Sequence, residues 1–207
     1  MKPLCVVDLD GTLLRGNSMK RLMRWLPKAL WSGRHPAEAL LAFGWISLRG
    51  ARLVSHRRMK WHLGAIARRT LAPSDWNRFA KEELLPIVNT GVAAHIEALR
   101  EKGAAVCVAS AAMSEYVEPL CDILGYDHVL STAHTNRFAD YAELRGERKL
   151  LAINKLLAAG NYTLTRFLTD HSDDLPTATA YPEATILVNP SEKSAALFAK
   201  AGISHKL

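Results

Sequence analysis

Residues 4–7 are continuously apolar, and the run then breaks into Asp8-Leu9-Asp10-Gly11-Thr12. A short, β-branched run closed by a glycine predicts a buried strand with a turn at its C-terminal tip. Positions two apart on a strand share a face, so Asp8 and Asp10 should project together from that tip. Aspartate is depleted in strands, and two like charges this close call for a cation or a shared proton.

The period then changes from two to between three and four. Residues 18–30 place Met19, Leu22, Met23, Leu26 and Leu30 near helical spacing, with Asn17 or Ser18 as cap and a kink or break expected at Pro27. Further helices are predicted over residues 37–48, 53–71 and 74–85, the first entered at Pro36 and the last capped by Ser74 or Asp75. No strand pattern interrupts this stretch, which reads as a small helical bundle.

Beyond Gly91 helix and strand alternate in the manner of a parallel sheet. Helices are predicted over residues 91–102, 114–124, 149–159, 175–181 and 191–201, and strands over 104–109, 128–132, 166–169 and 184–188. Residues 136–145 fit a hairpin or a loop. The fold class is therefore α/β, a doubly wound, Rossmann-like parallel sheet. Residues 1–14 and 86–207 form this core, and residues 15–85 form an inserted all-helical domain.

Composition sharpens that division. Residues 15–83 carry 15 Lys/Arg against 4 Asp/Glu, whereas the rest of the chain carries 12 against 16. All five tryptophans, Trp25, Trp31, Trp45, Trp61 and Trp76, also fall in the basic part. A basic, Trp-rich block is thus inserted into a mildly acidic frame. The 49% hydrophobic content is ordinary for a globular chain of 207 residues. The first strand begins too early to leave room for a signal peptide, and the most apolar stretch, residues 37–48, is broken by Glu38 and Gly44. Cys5, Cys107 and Cys121 have no metal-ligand spacing and form no even disulfide set. A reducing cytoplasm is the expected location.

Ligands of open parallel sheets bind beyond the carboxyl ends of the strands. The residues there are Asp8 and Asp10, then Ser110, then Asp170, Ser172, Asp173 and Asp174, with Lys149 brought to the same face by its helix. This set has a physical use in phosphoryl transfer. Mg²⁺ takes oxygen ligands and keeps several waters, so the carboxylates of Asp8 and Asp170 with the carbonyl of Asp10 would suffice. One ionised aspartate can attack phosphorus, while a second carboxylate protonates the leaving oxygen and later deprotonates water. Ser110 and Lys149 would hold the phosphoryl oxygens, where charge accumulates.

Asp8-Leu9-Asp10-Gly11-Thr12, Ser110 after its strand, Gly146-x-x-Lys149 and Asp170-x-x-x-Asp174 together resemble the four motifs of the haloacid dehalogenase superfamily. Thr169 to Pro176 and Val188-Asn189-Pro190 resemble its phosphoserine-phosphatase-like branch, in which a helical cap follows the first motif. The resemblance implies a Mg²⁺-dependent phosphatase working through an aspartyl-phosphate. It makes Asp8 the nucleophile, Asp10 the general acid/base, and Thr12 the residue that supports the loop and the phosphate site. Ser110 and Lys149 become the phosphate binders, and Asp8, Asp10 and Asp170 the metal ligands. Asp174 becomes a second-layer acid supporting the metal or Lys149. Asp10 favours a phosphatase over the dehalogenase branch, which lacks an acid there. Two departures stand out. Phosphoserine phosphatases carry a glutamate nine residues past the nucleophile, and here that position is Asn17. His171 stands where a small residue is usual, and reads as a surface or supporting residue rather than a ligand.

The cap leaves alternatives open. Its tryptophans can fill a small core and its charges can face solvent. They can also meet an anionic membrane, the inner face of a bilayer included, with a lipid phosphate entering the site. Arg57, Arg58 and Lys60 could instead clamp a second anionic group of a soluble phosphorylated substrate. A non-catalytic reading, a membrane-surface or nucleic-acid-binding protein using the basic block, has no use for Asp8, Asp10, Lys149 and Asp170. Nucleic acid is also disfavoured because the acidic pole would repel its backbone.

Overall fold

The computed structural model describes residues 1–204 and 207. The first apolar run forms β1 (Lys2–Val7), the middle strand of a five-stranded sheet ordered β3-β2-β1-β4-β5. Its partners are β2 (Ala105–Met113), β3 (His128–Thr132), β4 (Tyr162–Thr169) and β5 (Thr185–Leu187), and every pairing is parallel. The chain builds outward from β1 to β2 and β3, then crosses to lay β4 on the other side. The direction of winding therefore reverses between β1 and β4, where an open sheet forms a crevice.

Alternation along β1 divides the core in two. Cys5 and Val7 face one hydrophobic cluster, which also takes Val92 and Ile96 of α5 (Thr90–Glu101) and Tyr116, Val117 and Leu120 of α6 (Ser114–Leu124). Leu4 and Val6 face a second cluster with Ile153 of α7 (Glu147–Ala159), Ala178 of α8 (Leu175–Ala180) and Phe198 of α9 (Glu192–Lys200). All three cysteines are buried and free.

Between β1 and α5 lie α1 (Ser18–Ser32), α2 (Pro36–Gly50), α3 (His56–Thr70) and α4 (Pro73–Phe79). They do not enclose a core of their own. Leu22, Trp25, Leu63, Trp76 and Phe79 belong to the same cluster as Val7, Leu9 and Tyr116. Trp25 meets Phe79 at a tilt with ring centroids 5.0 Å apart, and Phe79 meets Tyr116 of α6 edge-on at 5.5 Å.

Several expected boundaries shift for local reasons. α1 continues through Pro27 to Ser32 instead of breaking there. Asn17 is its cap, accepting from the Lys20 N–H at 2.9 Å, which frees Ser18 for another use. α4 starts earlier than Ser74, because Asp75 reaches back to the Ala72 N–H at 2.9 Å, and it ends at Phe79 in a wide turn over Ala80–Leu84. β2 runs on to Met113 through an irregularity after Ala109, so Ser110 lies within the strand rather than after it. β4 starts at Tyr162, four residues earlier than its apolar pattern indicates. Residues 133–146 form a loop with one turn of 3-10 helix, Phe138–Asp140.

Candidate active site

Asp8 follows β1 and Asp170 follows β4, which puts both at the reversal of the sheet. The Asp8 N–H donates to the Leu168 carbonyl at 2.9 Å, continuing the ladder one step past the strand. The loop then folds back tightly: the Leu13 and Leu14 N–H groups donate to the carbonyls of Asp8 and Leu9, and the Gly11 N–H reaches the Leu14 carbonyl at 3.0 Å. The Asp10 carbonyl accepts no backbone hydrogen bond among the described residues. Gly11 has φ +85°, and a Cβ there would fall inside the Asp170 carboxylate. A residue without a side chain is required on both counts.

A cleft of about 570 Å³ opens over these tips. Asp8, Asp10, Ser110, Lys149, Asp170 and Asp174 all line it. The sheet thus brings together six of the seven residues singled out from the motifs. The seventh, Thr12, is fully buried and outside the lining, and its hydroxyl donates to Asp170 Oδ1 at 3.2 Å. It supports the loop through Asp170 and does not face the cleft.

Lys149 lies at the hub. Its ammonium is buried between Asp8 Oδ1 at 2.7 Å and Asp174 Oδ1 at 2.6 Å, and Asp174 Oδ2 accepts from the Thr169 hydroxyl at 2.7 Å. Burial opposes the lysine's charge, but the two aspartates outweigh it and hold the ammonium well above the usual lysine range. Burial also dominates at Asp8 and lifts its carboxyl to about 7, with Lys149 pulling down and Asp174 and Asp170 pushing up. Asp10 and Asp170 are raised by burial as well.

Both Asp10 oxygens are held by the first residue of α1, at 2.6 Å from the Ser18 N–H and 3.0 Å from its hydroxyl. The same hydroxyl lies 3.1 Å from Tyr116 Oη. Ser110 Oγ accepts from the Ala112 N–H at 3.1 Å, so its own proton is available to the cleft. Asp8 and Asp170 each keep one oxygen with no hydrogen-bond partner among the described residues, while the Asp10 side chain is turned to α1. His171 is at the surface, where its Nδ1 accepts from the Asp173 N–H at 3.1 Å. Asp173 pairs with Arg145 at 3.5 Å.

Sequence reasoning missed two neighbours and assigned a third to a different role. Lys20 and Arg145 line the cleft, from the first turn of α1 and from the loop before α7. Lys60 of α3, expected with Arg57 and Arg58 as a clamp for an anionic group, is buried, donates to the Ala111 carbonyl beside Ser110, and pairs with Glu143 at 2.7 Å, while Arg57 donates to the Tyr141 carbonyl. The partners of Lys60 lie more than fifty residues away, and helical periodicity carries no trace of them.

No group of three His, Cys, Asp or Glu side chains among the described residues forms a ready-made metal cage. Magnesium does not need one. Two carboxylates with an uncommitted oxygen each, a free carbonyl and water match its preferred ligands.

A doubly wound parallel sheet with a buried Asp–Lys–Asp array and two further acids at its winding reversal defines the ligand-binding pole of an open α/β fold. Residues 5–179 match the family model for haloacid dehalogenase-like hydrolases, and the chain belongs to that family. No curated protein sequence matches it. Among solved structures, a protein of unknown function from Bordetella pertussis Tohama I superposes with a TM-score of 0.76 at 19% identity, over 100% of this chain and 98% of that one. A phosphoserine phosphohydrolase-like protein from Francisella tularensis gives 0.58 at 19% identity, over 100% and 95%. A phospho-aspartyl intermediate analogue of phosphoserine phosphatase gives 0.57 at 13% identity, over 100% and 92%. At these identities the likeness establishes a shared fold.

Proposed function

We propose that the cleft hydrolyses phosphomonoesters in two steps through an aspartyl-phosphate on Asp8. The observation that carries this reading is the state of that carboxylate: one oxygen is fixed by Lys149, the other has no hydrogen-bond partner among the described residues, and the side chain lines the cleft with Ser110 and Asp10. In the first step the free Asp8 oxygen attacks phosphorus, the bond to the leaving oxygen breaks, and Asp10 gives that oxygen a proton. In the second, Asp10 takes a proton from water, the new hydroxyl attacks phosphorus, and the Asp8–phosphorus bond breaks to release phosphate. Burial raises the Asp10 pKa, against the lowering pull of the two Ser18 hydrogen bonds.

Ser110 and Lys149 bind the phosphoryl oxygens in this reading, and Asp174 keeps Lys149 in place. The carboxylates of Asp8 and Asp170 and the Asp10 carbonyl would hold Mg²⁺, which supplies neutralising charge for the phosphate. Residues 15–85 act as the cap over a core of residues 1–14 and 86–207. Asn17 lines the cleft with its amide oxygen committed to Lys20 N–H, so no carboxylate there awaits a substrate ammonium. This favours a substrate other than phosphoserine, and Lys20 and Arg145 suit one bearing further negative charge, a lipid phosphate included.

Hydrolysis of p-nitrophenyl phosphate tests the reading. Asp8→Asn should abolish turnover, and EDTA should abolish it reversibly, with Mg²⁺ restoring it. Turnover unchanged in Asp8→Asn would overturn the mechanism, and turnover unaffected by EDTA would remove the metal from it.

A further inference from the structure

The outward face of α2 does not look like the surface of a helix that stays in water. An amphipathic helix turns its charges outward, yet here the solvent side of four turns holds Pro36, Ala37, Leu40, Leu41, Phe43, Ser47 and Leu48. Its only charged residues, Glu38 and Arg49, are half-buried on the flanks. Leu40 is 65% exposed, Leu41 55% and Phe43 62%. Trp31, at the end of α1, is 63% exposed, although the other tryptophans of the insertion are wholly or partly buried. Pro27, Trp31, Leu40 and Phe43 line an apolar groove of about 410 Å³ between the two helices.

The charges around this face select what covers it. Around this end of the hairpin, residues 28–52 carry Lys28, Arg34, Arg49 and Arg52 against a single acid, Glu38. Two copies meeting through this face in a two-fold dimer would bring two strongly basic rims together, which is unfavourable. An anionic bilayer supplies both missing complements, acyl chains for the leucines and aromatics and negative headgroups for the rim. A nucleic acid would satisfy the charge but leave the leucines in water. Among the described residues no helix is long and apolar enough to cross a membrane, and the contact inferred here is with one face of the bilayer.

We propose that the α1–α2 hairpin docks on an anionic lipid surface, inserting Trp31, Leu40, Leu41 and Phe43 among the headgroups. α1 links this surface to the cleft. Its first turn holds Asp10 and lines the site, and its last carries Trp31, about 20 Å away at the usual helical rise. The docking surface lies outside the catalytic groups, and its test is independent of the phosphatase reading.

The full chain should float with phosphatidylcholine vesicles that contain phosphatidylglycerol, and not with pure phosphatidylcholine. Salt should weaken the association. Trp31→Ser with Leu40→Ser and Phe43→Ser should lower the partition coefficient tenfold or more, without changing p-nitrophenyl phosphate turnover or the molar mass by light scattering. Because these side chains are exposed, the variant should fold; Lys28→Glu with Arg34→Glu provides a second route to the same loss. Equal binding to both vesicle types, or binding that survives both variants, overturns the proposal. So does a dimer that the serine variant dissociates, which would make a second copy the occupant, or salt-sensitive binding to duplex DNA in preference to the vesicles.

Discussion

Ser18 holds both oxygens of Asp10, through its backbone N–H at 2.6 Å and its hydroxyl at 3.0 Å. The acid on one side of the cleft is therefore oriented by the first residue of the insertion. Ser18→Ala removes the hydroxyl and leaves Tyr116 Oη without that partner. One hydrogen bond to a charged group, at about 1.5 kcal/mol, corresponds to roughly a tenfold loss in kcat. KM should change little. The hydroxyl also lowers the Asp10 pKa, so the pH–rate limb belonging to Asp10 should move upward, and Ser18→Thr should restore both. A kcat loss with no movement of that limb would show a merely structural role.

Gly11→Ala combines a left-handed backbone with a Cβ that overlaps Asp170. Asp170 has to move, and Thr12 with it. Displacement of about 1 Å at a reacting site costs on the order of 10²-fold, and a loss of at least that size in kcat/KM is expected. Circular dichroism should report a folded protein, and wild-type kinetics would refute the close approach.

Lys60 and Glu143 form an ion pair with side chains only 4% and 12% exposed. Lys60→Met strands the buried carboxylate and should cost about 3–5 kcal/mol in urea unfolding. The Ala111 carbonyl keeps its bond from Thr132 at 2.8 Å. Adding Glu143→Leu should therefore recover most of the loss. A double variant no more stable than Lys60→Met would place the cost elsewhere.

Asp8 gives a pH dependence of definite sign. Its carboxyl is raised to about 7 in the fold, against about 3.9 in an unfolded chain. Between those values the folded protein keeps a proton that the unfolded chain has lost, so this group's contribution to stability falls as pH rises through that window. Asparagine has no charge to bury. In metal-free buffer the melting temperature of Asp8→Asn should gain on the parent between about pH 4 and about pH 7. Mg²⁺ at pH 8 should narrow the gap by stabilising the parent, and a gap independent of pH would contradict the buried-charge account.

Local pattern carried the frame. The apolar run before Asp8 and that before Asp170 name two strand tips, and parallel topology puts such tips on one edge. What pattern could not supply were contacts between distant groups. Asn17 and Ser18 are equivalent as helix caps by residue type, and only the folded loop lets Asn17 cap while Ser18 turns to Asp10. Thr12 sits in the motif, but the fold-back of the loop buries it against Asp170. Lys60 reads, with Arg57 and Arg58, as a cation free to clamp an anionic group, because its burial is set by Ala111 and Glu143, far away in the sequence. Trp31 and Trp25 are both apolar positions of one helix, and α2 covers only part of it.

Leu9 and Leu13 beside the catalytic loop, Leu22 and Trp25 on the first inserted helix, and Tyr116 and Leu120 on α6 all lie in one hydrophobic cluster. Residues 15–85 are thus a continuation of the sheet's own interior and not a detachable module. Recombination that exchanged them for the helices of a distant relative would leave the inner face of α6 unmatched and Asp10 without its serine. Single substitutions along the cleft and the outer helix faces leave this shared interior intact, whereas replacing the whole insertion would cut through it.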